Sequence, residues 1–292
     1  MEAGTISGLQ KAPNVETPEL TMKRSRTHAM FAESDSKIVH VSKGDSRMGL
    51  FFVALEERLP YVMSFMQSMN FEAPRITHAI NRTELDLSQL TLEGLLLPDA
   101  KLSSGEVACS LSHREAMKKF LDDPNLETAV FFEDDAALNA KTFVATSLVR
   151  GSGNMSVFEL LEDIAKTHET LGWDGVNLGR CWDNCDAPVA GAVEGGLSIV
   201  DSCSSLCTHA YMLTRKGAEL YMKYTAPVRD AEDRIRAALS SDGLWKYYSL
   251  TPRLFEQDRD RIVGNMMHHP AHLPPECTGT REKCQKWHVP AL

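Results

Sequence analysis

Three carboxylates stand side by side in Glu133-Asp134-Asp135, directly behind the apolar run Ala129-Val130-Phe131-Phe132. Acids this close repel one another unless a cation sits among them. A hard divalent ion takes oxygen ligands of this kind and can carry a phosphate-bearing substrate. An acidic turn in water is the plainer alternative, and the triplet alone leaves both open. Arg58 follows the first apolar run, where a phosphate or a ribose could meet it. His113 lies mid-helix beside Ser112, a setting in which a satisfied structural histidine is commoner than a catalyst.

The elements that must position these groups follow from periodicity. Met48 to Leu55 reads as a first buried strand. A helix then opens at Glu56-Glu57-Arg58-Leu59-Pro60, with Tyr61, Phe65, Met66 and Met69 at helical spacing, and Pro74 to Ile80 is a second strand. Ser103 or Ser104 can cap a helix from about Glu106 to Leu121, with Glu106 as the capping-box acid. Ala129 to Phe132 is the central strand, delivering its acids at the carboxyl end, where open α/β sheets bind ligands. Leu138 to Leu148 and Val157 to Thr170 read as helices, Gly172 to Arg180 as turn, strand and turn, and Cys207 to Thr214 as a strand. Helices follow near Arg215 and from Pro227 to Leu239, and Trp245 to Leu250 is the last strand. Alternating strands and helices predict an α/β fold with a mixed, mainly parallel sheet flanked by helices. Residues 1–45 are expected to form a disordered tail, 46–262 the domain, and 263–292 a His-, Pro- and Cys-rich extension packed on it.

Composition excludes some functions. A net charge of −9 argues against general nucleic-acid binding. The longest clean apolar run, Leu50 to Leu55, is far too short for a membrane span, and Met1 to Lys37 lacks the apolar centre of a signal peptide. Cys109 stands alone in an apolar helical setting. Cys181 and Cys185, Cys203 and Cys207, and Cys277 and Cys284 come in close pairs, which suggests disulfides and an oxidising compartment. The two C-x-x-x-C pairs could instead hold zinc. The compartment stays undetermined: the cysteines lean towards an ER or Golgi lumen, while the N-terminus offers no route there. Asn81-Arg82-Thr83 and Asn154-Met155-Ser156 match the glycosylation pattern.

Three segments in fixed order carry a resemblance: Ser104-Gly105-Glu106-Val107-Ala108-Cys109-Ser110-Leu111-Ser112-His113, Val130 to Asp135, and Thr208 to Ala218. They resemble the family-25 glycosyltransferases, which include procollagen galactosyltransferases and bacterial lipopolysaccharide galactosyltransferases. Leu50 to Arg58, Gly172 to Arg180 and Pro227-Val228 also fit. The likeness covers about residues 48 to 260. Where the family usually has Pro-Val-Asp, this chain has Arg229, and an acid comes only at Asp230.

The resemblance implies a GT-A-like fold and a metal-dependent enzyme moving galactose or glucose from a UDP-sugar to a hydroxyl of a glycan or glycoprotein, with inversion. The cofactor implied is Mn²⁺, held by Asp135 and Glu133, with another of the three acids, Glu133 or Asp134, taking a ribose hydroxyl. Inversion needs a carboxylate base, for which Asp230 is the first candidate and Asp233 the second. His113, Arg180 and Gln257 match family positions and join Arg58 as substrate-binding candidates. His268, His269 and His272 are a further source of a metal ligand, or else a solvated tail tethered by Cys277 and Cys284. The alternative is a catalytically silent glycan-binding relative of the same fold, which Arg229 favours and the intact acids oppose.

Overall fold

The computed structural model describes residues 47–71, 73–151, 155–202, 205–258 and 275–278. The expected tail, residues 1–45, lies outside the described residues, as do Cys203, Cys284, Asn154, His268, His269 and His272.

Two apolar runs set the middle of the sheet. In β1 (Met48–Ala54) and β3 (Thr128–Glu133) nearly every residue is buried, the pattern of strands covered on both faces. Side chains alternate across a strand, so Phe51 and Phe131 stack on one face at 5.4 Å and Phe52 and Phe132 on the other at 4.9 Å. The first face packs Met117, Phe120, Tyr211, Tyr221, Ile235 and Trp245 against the sheet. The second packs Val62, Phe65, Leu160, Leu161, Ile164 and Trp173. The sheet is therefore the middle layer of three.

Its helices are α1 (Leu59–Ser68), α2 (Leu87–Leu92), α3 (Ser104–Asp122), α4 (Ala140–Arg150), α5 (Val157–Lys166), α6 (His168–Leu171), α7 (Arg215–Tyr224) and α8 (Glu232–Ser241). The capping box of α3 forms as read: Ser103 accepts from the Glu106 N–H, and Glu106 accepts from the Ser103 N–H. The remaining strands are β2 (Arg75–His78), β4 (Ala136–Leu138), β5 (Gly175–Asn177), β6 (Val189–Val193), β7 (Leu197–Val200), β8 (Ala210–Thr214), β9 (Tyr247–Thr251) and β10 (Phe255–Gln257).

The large sheet has the order β2-β1-β3-β8-β5-β9-β7-β6. Strands β2, β1, β3, β5, β9 and β6 run one way, and β8 and β7 run against them. Direction is thus mainly parallel, but the reversed strands make most neighbouring pairs antiparallel. A second, two-stranded sheet pairs β4 with β10, bringing Gln257 opposite Ala136.

Several expectations are corrected. Residues 227–231 are not helical. Val228 exchanges backbone hydrogen bonds with Leu95 and Leu97 and buries its side chain beside Leu96 and Val107, so α8 starts only at Glu232. The helix read from Leu138 begins at Ala140, because Ala136–Leu138 pairs as β4 and Asn139 caps the helix. The helix over 157–170 divides at Thr167 into α5 and α6. Trp245 to Leu250 is not the last strand, since β10 follows. Residues 189–200, where no strand is expected, form the β6–β7 hairpin, which joins the main sheet through β9.

The cysteine neighbours do not pair with each other. Cys181 bonds Cys207 and Cys185 bonds Cys277. Residues four apart on an excursion point to different neighbours, and each meets the segment packed against it. A zinc set drawn from Cys181, Cys185, Cys203 and Cys207 is not formed, because three of its members are spent in these two disulfides.

Candidate active site

The carboxyl ends of β1, β3, β5 and β9 share one edge of the sheet, and the reversed β8 brings its amino end, Thr208-His209, to that edge. Here the three acids separate, and each finds its own partners. Glu133 shares the face of Phe131 by the period of two, so it turns toward α3. Its Oε1 accepts from His113 Nε2 at 3.1 Å, from the Thr208 hydroxyl, and from the Cys109 thiol at 3.9 Å. Asp134 turns back toward β1. Its Oδ1 accepts from Arg58 Nη1 at 2.6 Å and its Oδ2 from the Leu55 N–H at 2.9 Å. Asp135 turns toward β10, where its Oδ2 accepts from Gln257 Nε2 at 3.1 Å and its carbonyl from the Asp258 N–H at 2.7 Å.

These partners set the charges. Burial alone would raise the Glu133 carboxyl, but the His113 hydrogen bond and charge, with Thr208, outweigh it and hold the group at about 2. Burial pushes the Asp134 carboxyl up against the pull of the Leu55 N–H and Arg58. The Cys109 thiol is driven well above its usual range by burial and then by the Glu133 charge. Cys109, His113 and Glu133 lie close enough to surround an ion, which would take Cys109 as its thiolate. The cluster of Cys181, Cys207 and His209 is closed to a metal by its disulfide.

The two base candidates differ in setting. Asp233 Oδ2 accepts from the Cys207 N–H at 3.2 Å, one residue from the Thr208 that reaches Glu133. Asp230 is bound to Arg234 Nε at 2.6 Å, and Arg234 in turn reaches Glu106 near the start of α3. Asp230 is therefore charge-matched away from the acids. Arg180 is also matched: it pairs with Asp183 and Glu276 and donates to Thr251 at 2.8 Å. It thereby clamps residues 275–278, which also bond to Trp182 and Asp183 through the backbone.

Sequence reading missed the layer behind the acids. Tyr211 hydrogen-bonds His113 Nδ1 at 2.7 Å, and the Arg236 guanidinium lies 4.0 Å from the Tyr211 ring centroid. Arg236 also donates to Tyr247 at 2.9 Å, and Glu232 lies 3.6 Å from it. Burial raises the Glu232 carboxyl to about 7. The available signal was spacing: Glu106, Cys109 and His113 fall on one face of α3, as do Glu232 and Arg236 on α8.

A family model described as "Glycosyltransferase family 25 (LPS biosynthesis protein)" matches residues 75–236, more than half of the 292. The chain belongs to glycosyltransferase family 25. It is a glycosyltransferase, and the match spans α3, the acids, β8 and the start of α8. Among solved structures, it is similar to one titled "Crystal Structure of A197 from STIV" at 16% identity, covering 76% of this chain and 100% of that one, with a TM-score of 0.38. A likeness at that score says nothing further about this family-25 chain. Among the described residues, no helix is long and apolar enough to cross a membrane.

Proposed function

We propose that this family-25 chain is a GT-A-type enzyme that moves galactose or glucose from a UDP-sugar to a hydroxyl of a glycan or glycoprotein, inverting the anomeric centre. The observation that carries the reading is the delivery of Glu133, Asp134 and Asp135 to the carboxyl edge of the sheet, buried or nearly so and each oriented by a different element.

Asp135 fits a divalent cation. Small hard ions that act on nucleotides are held by one or two carboxylates plus the substrate phosphates, and Asp135 offers a buried carboxylate whose nearest named partner is a neutral amide. Mn²⁺ bound there would supply Lewis-acid stabilisation of the departing diphosphate. Glu133, already gripped by His113 and Thr208, serves better as a fixed acceptor for a sugar or ribose hydroxyl than as a second ligand. Asp134 and Arg58 hold the loop after β1 against the loop after β3. Asp233 is the better placed base, and Asp230, bound to Arg234, is the second choice. The base takes the acceptor hydroxyl's proton as that oxygen attacks the anomeric carbon.

Hydrolysis of UDP-galactose and UDP-glucose, with and without Mn²⁺, tests the proposal. Metal-stimulated turnover that Asp135→Ala abolishes, with the fold retained, is expected. No metal-stimulated turnover with either donor, as in a silent glycan binder, or undiminished turnover in the variant, would overturn it.

A further inference from the structure

Among the described residues, every hydrogen bond to the Glu133 side chain falls on one oxygen, Oε1. Oε2 takes none of them. His113 can donate to Oε1 only if Nε2 carries a proton. A carboxylate only accepts, so Glu133 itself requires that proton, and a phenol hydroxyl can serve the other ring nitrogen as donor or acceptor. The group facing Nδ1 is the Tyr211 hydroxyl at 2.7 Å, and His113 and Tyr211 are both wholly buried.

Tyr211 is itself tightly placed. Its residue pairs with Phe131 across β3 and β8, and the two rings stack at 5.1 Å. The Arg236 guanidinium covers its ring at 4.0 Å. Burial raises the phenol well above its ordinary range, so it keeps the O–H that Nδ1 can accept. A hydrogen bond from Tyr211 to Nδ1 leaves the imidazole proton on Nε2, pointing at Glu133.

We propose that Tyr211 is a positioning residue for the transfer reaction: its hydroxyl anchors the His113 ring at Nδ1, so that Nε2–H holds Glu133 through Oε1 and Oε2 is kept for a hydroxyl of the donor. This rests on the reading of Glu133 as a donor-binding acid. Tyr211 touches no substrate and acts only through His113.

The test uses the full chain with ¹⁵N-labelled histidine, the His113 signals being assigned by their loss in His113→Gln. The parent is expected to show a ring protonated on Nε2. Tyr211→Phe, which keeps the stacked ring, is expected to leave that proton in place and to move the Nδ1 signal, which has lost its hydrogen-bond partner. It should also lower kcat/KM for Mn²⁺-dependent UDP-sugar hydrolysis by about tenfold, the scale of one lost hydrogen bond to a charged network. A purely structural role would lower the urea midpoint and leave kcat/KM of the folded variant unchanged. A parent ring with no proton on Nε2 overturns the proposal whether or not the variant folds. So does a Tyr211→Phe protein with the parental Nδ1 signal, or with unchanged kcat/KM. Full activity in Glu133→Gln would instead overturn the donor-site reading beneath it, and the two failures are seen separately.

Discussion

The Arg58 guanidinium and the Asp134 carboxylate meet at 2.6 Å across 76 residues of sequence, each side chain less than one-fifth exposed. The pair ties the loop leaving β1 to the loop leaving β3, and the Leu55 N–H completes the hold on Asp134. Removing one partner of a poorly solvated pair leaves the other charge uncompensated. Arg58→Ala is therefore expected to cost about 2 kcal/mol in urea unfolding, and Arg58→Lys less. A raised KM for the UDP-sugar with unchanged stability would mark Arg58 as a substrate contact instead.

Glu133 and Glu232 are expected to respond to pH in opposite senses. Glu133 falls from 4.5 to about 2 on folding. Its contribution is present above 4.5 and is lost as pH drops toward 2, because the unfolded chain binds the proton first. Glu232 rises from 4.5 to about 7. Its folded carboxyl keeps a proton that the unfolded chain has released, so stability is lost as pH climbs from 4.5 to 7. Each shift corresponds to about 3 kcal/mol. Urea midpoints across pH should show Glu133→Gln flattening the acid limb and Glu232→Gln flattening the decline toward neutrality.

The two disulfides are expected to differ in worth. Cys181–Cys207 spans 26 residues and Cys185–Cys277 spans 92. Loop-closure entropy then gives ~3.5 and ~4.6 kcal/mol respectively. Cys→Ser variants at Cys181 and Cys277, unfolded under non-reducing conditions, should rank in that order. Equal losses would point to contacts rather than chain entropy.

Much of this fold was legible because both faces of the central strands are apolar, and the α3 cap was legible because Ser103 and Glu106 carry their pattern locally. The β6–β7 hairpin was not. Val189-Ala-Gly-Ala-Val193 is too small and weakly alternating to read as a strand, although Gly195-Gly196, both with positive φ, marked the turn. Strands of three residues, such as β4 and β10, fall below any periodic signal. In the site, the acids announced themselves, whereas Tyr211 read only as one residue of the strand from Cys207 to Thr214. Its bond to His113 crosses 98 residues and two elements, and local sequence holds no trace of such a pairing.

Gly217 is expected to tolerate no side chain. A Cβ there would lie 2.0 Å from the Asp174 carbonyl oxygen, which also accepts from the Thr214 N–H. Backbone cannot yield as a flexible side chain would. Gly217→Ala should cost ~3 kcal/mol or more, seen as a lower Tm.

The antiparallel pairing of β10 with β4 has a bearing on biosynthesis. Gln257, which grips Asp135, is made 122 residues after it. On the ribosome, the acidic trio must therefore emerge and wait while the rest of the sheet is translated, and nearly the last strand closes around it. Such distant pairings form slowly, so the newborn chain passes through an interval in which its three adjacent acids are still unclasped and no donor could yet be seated.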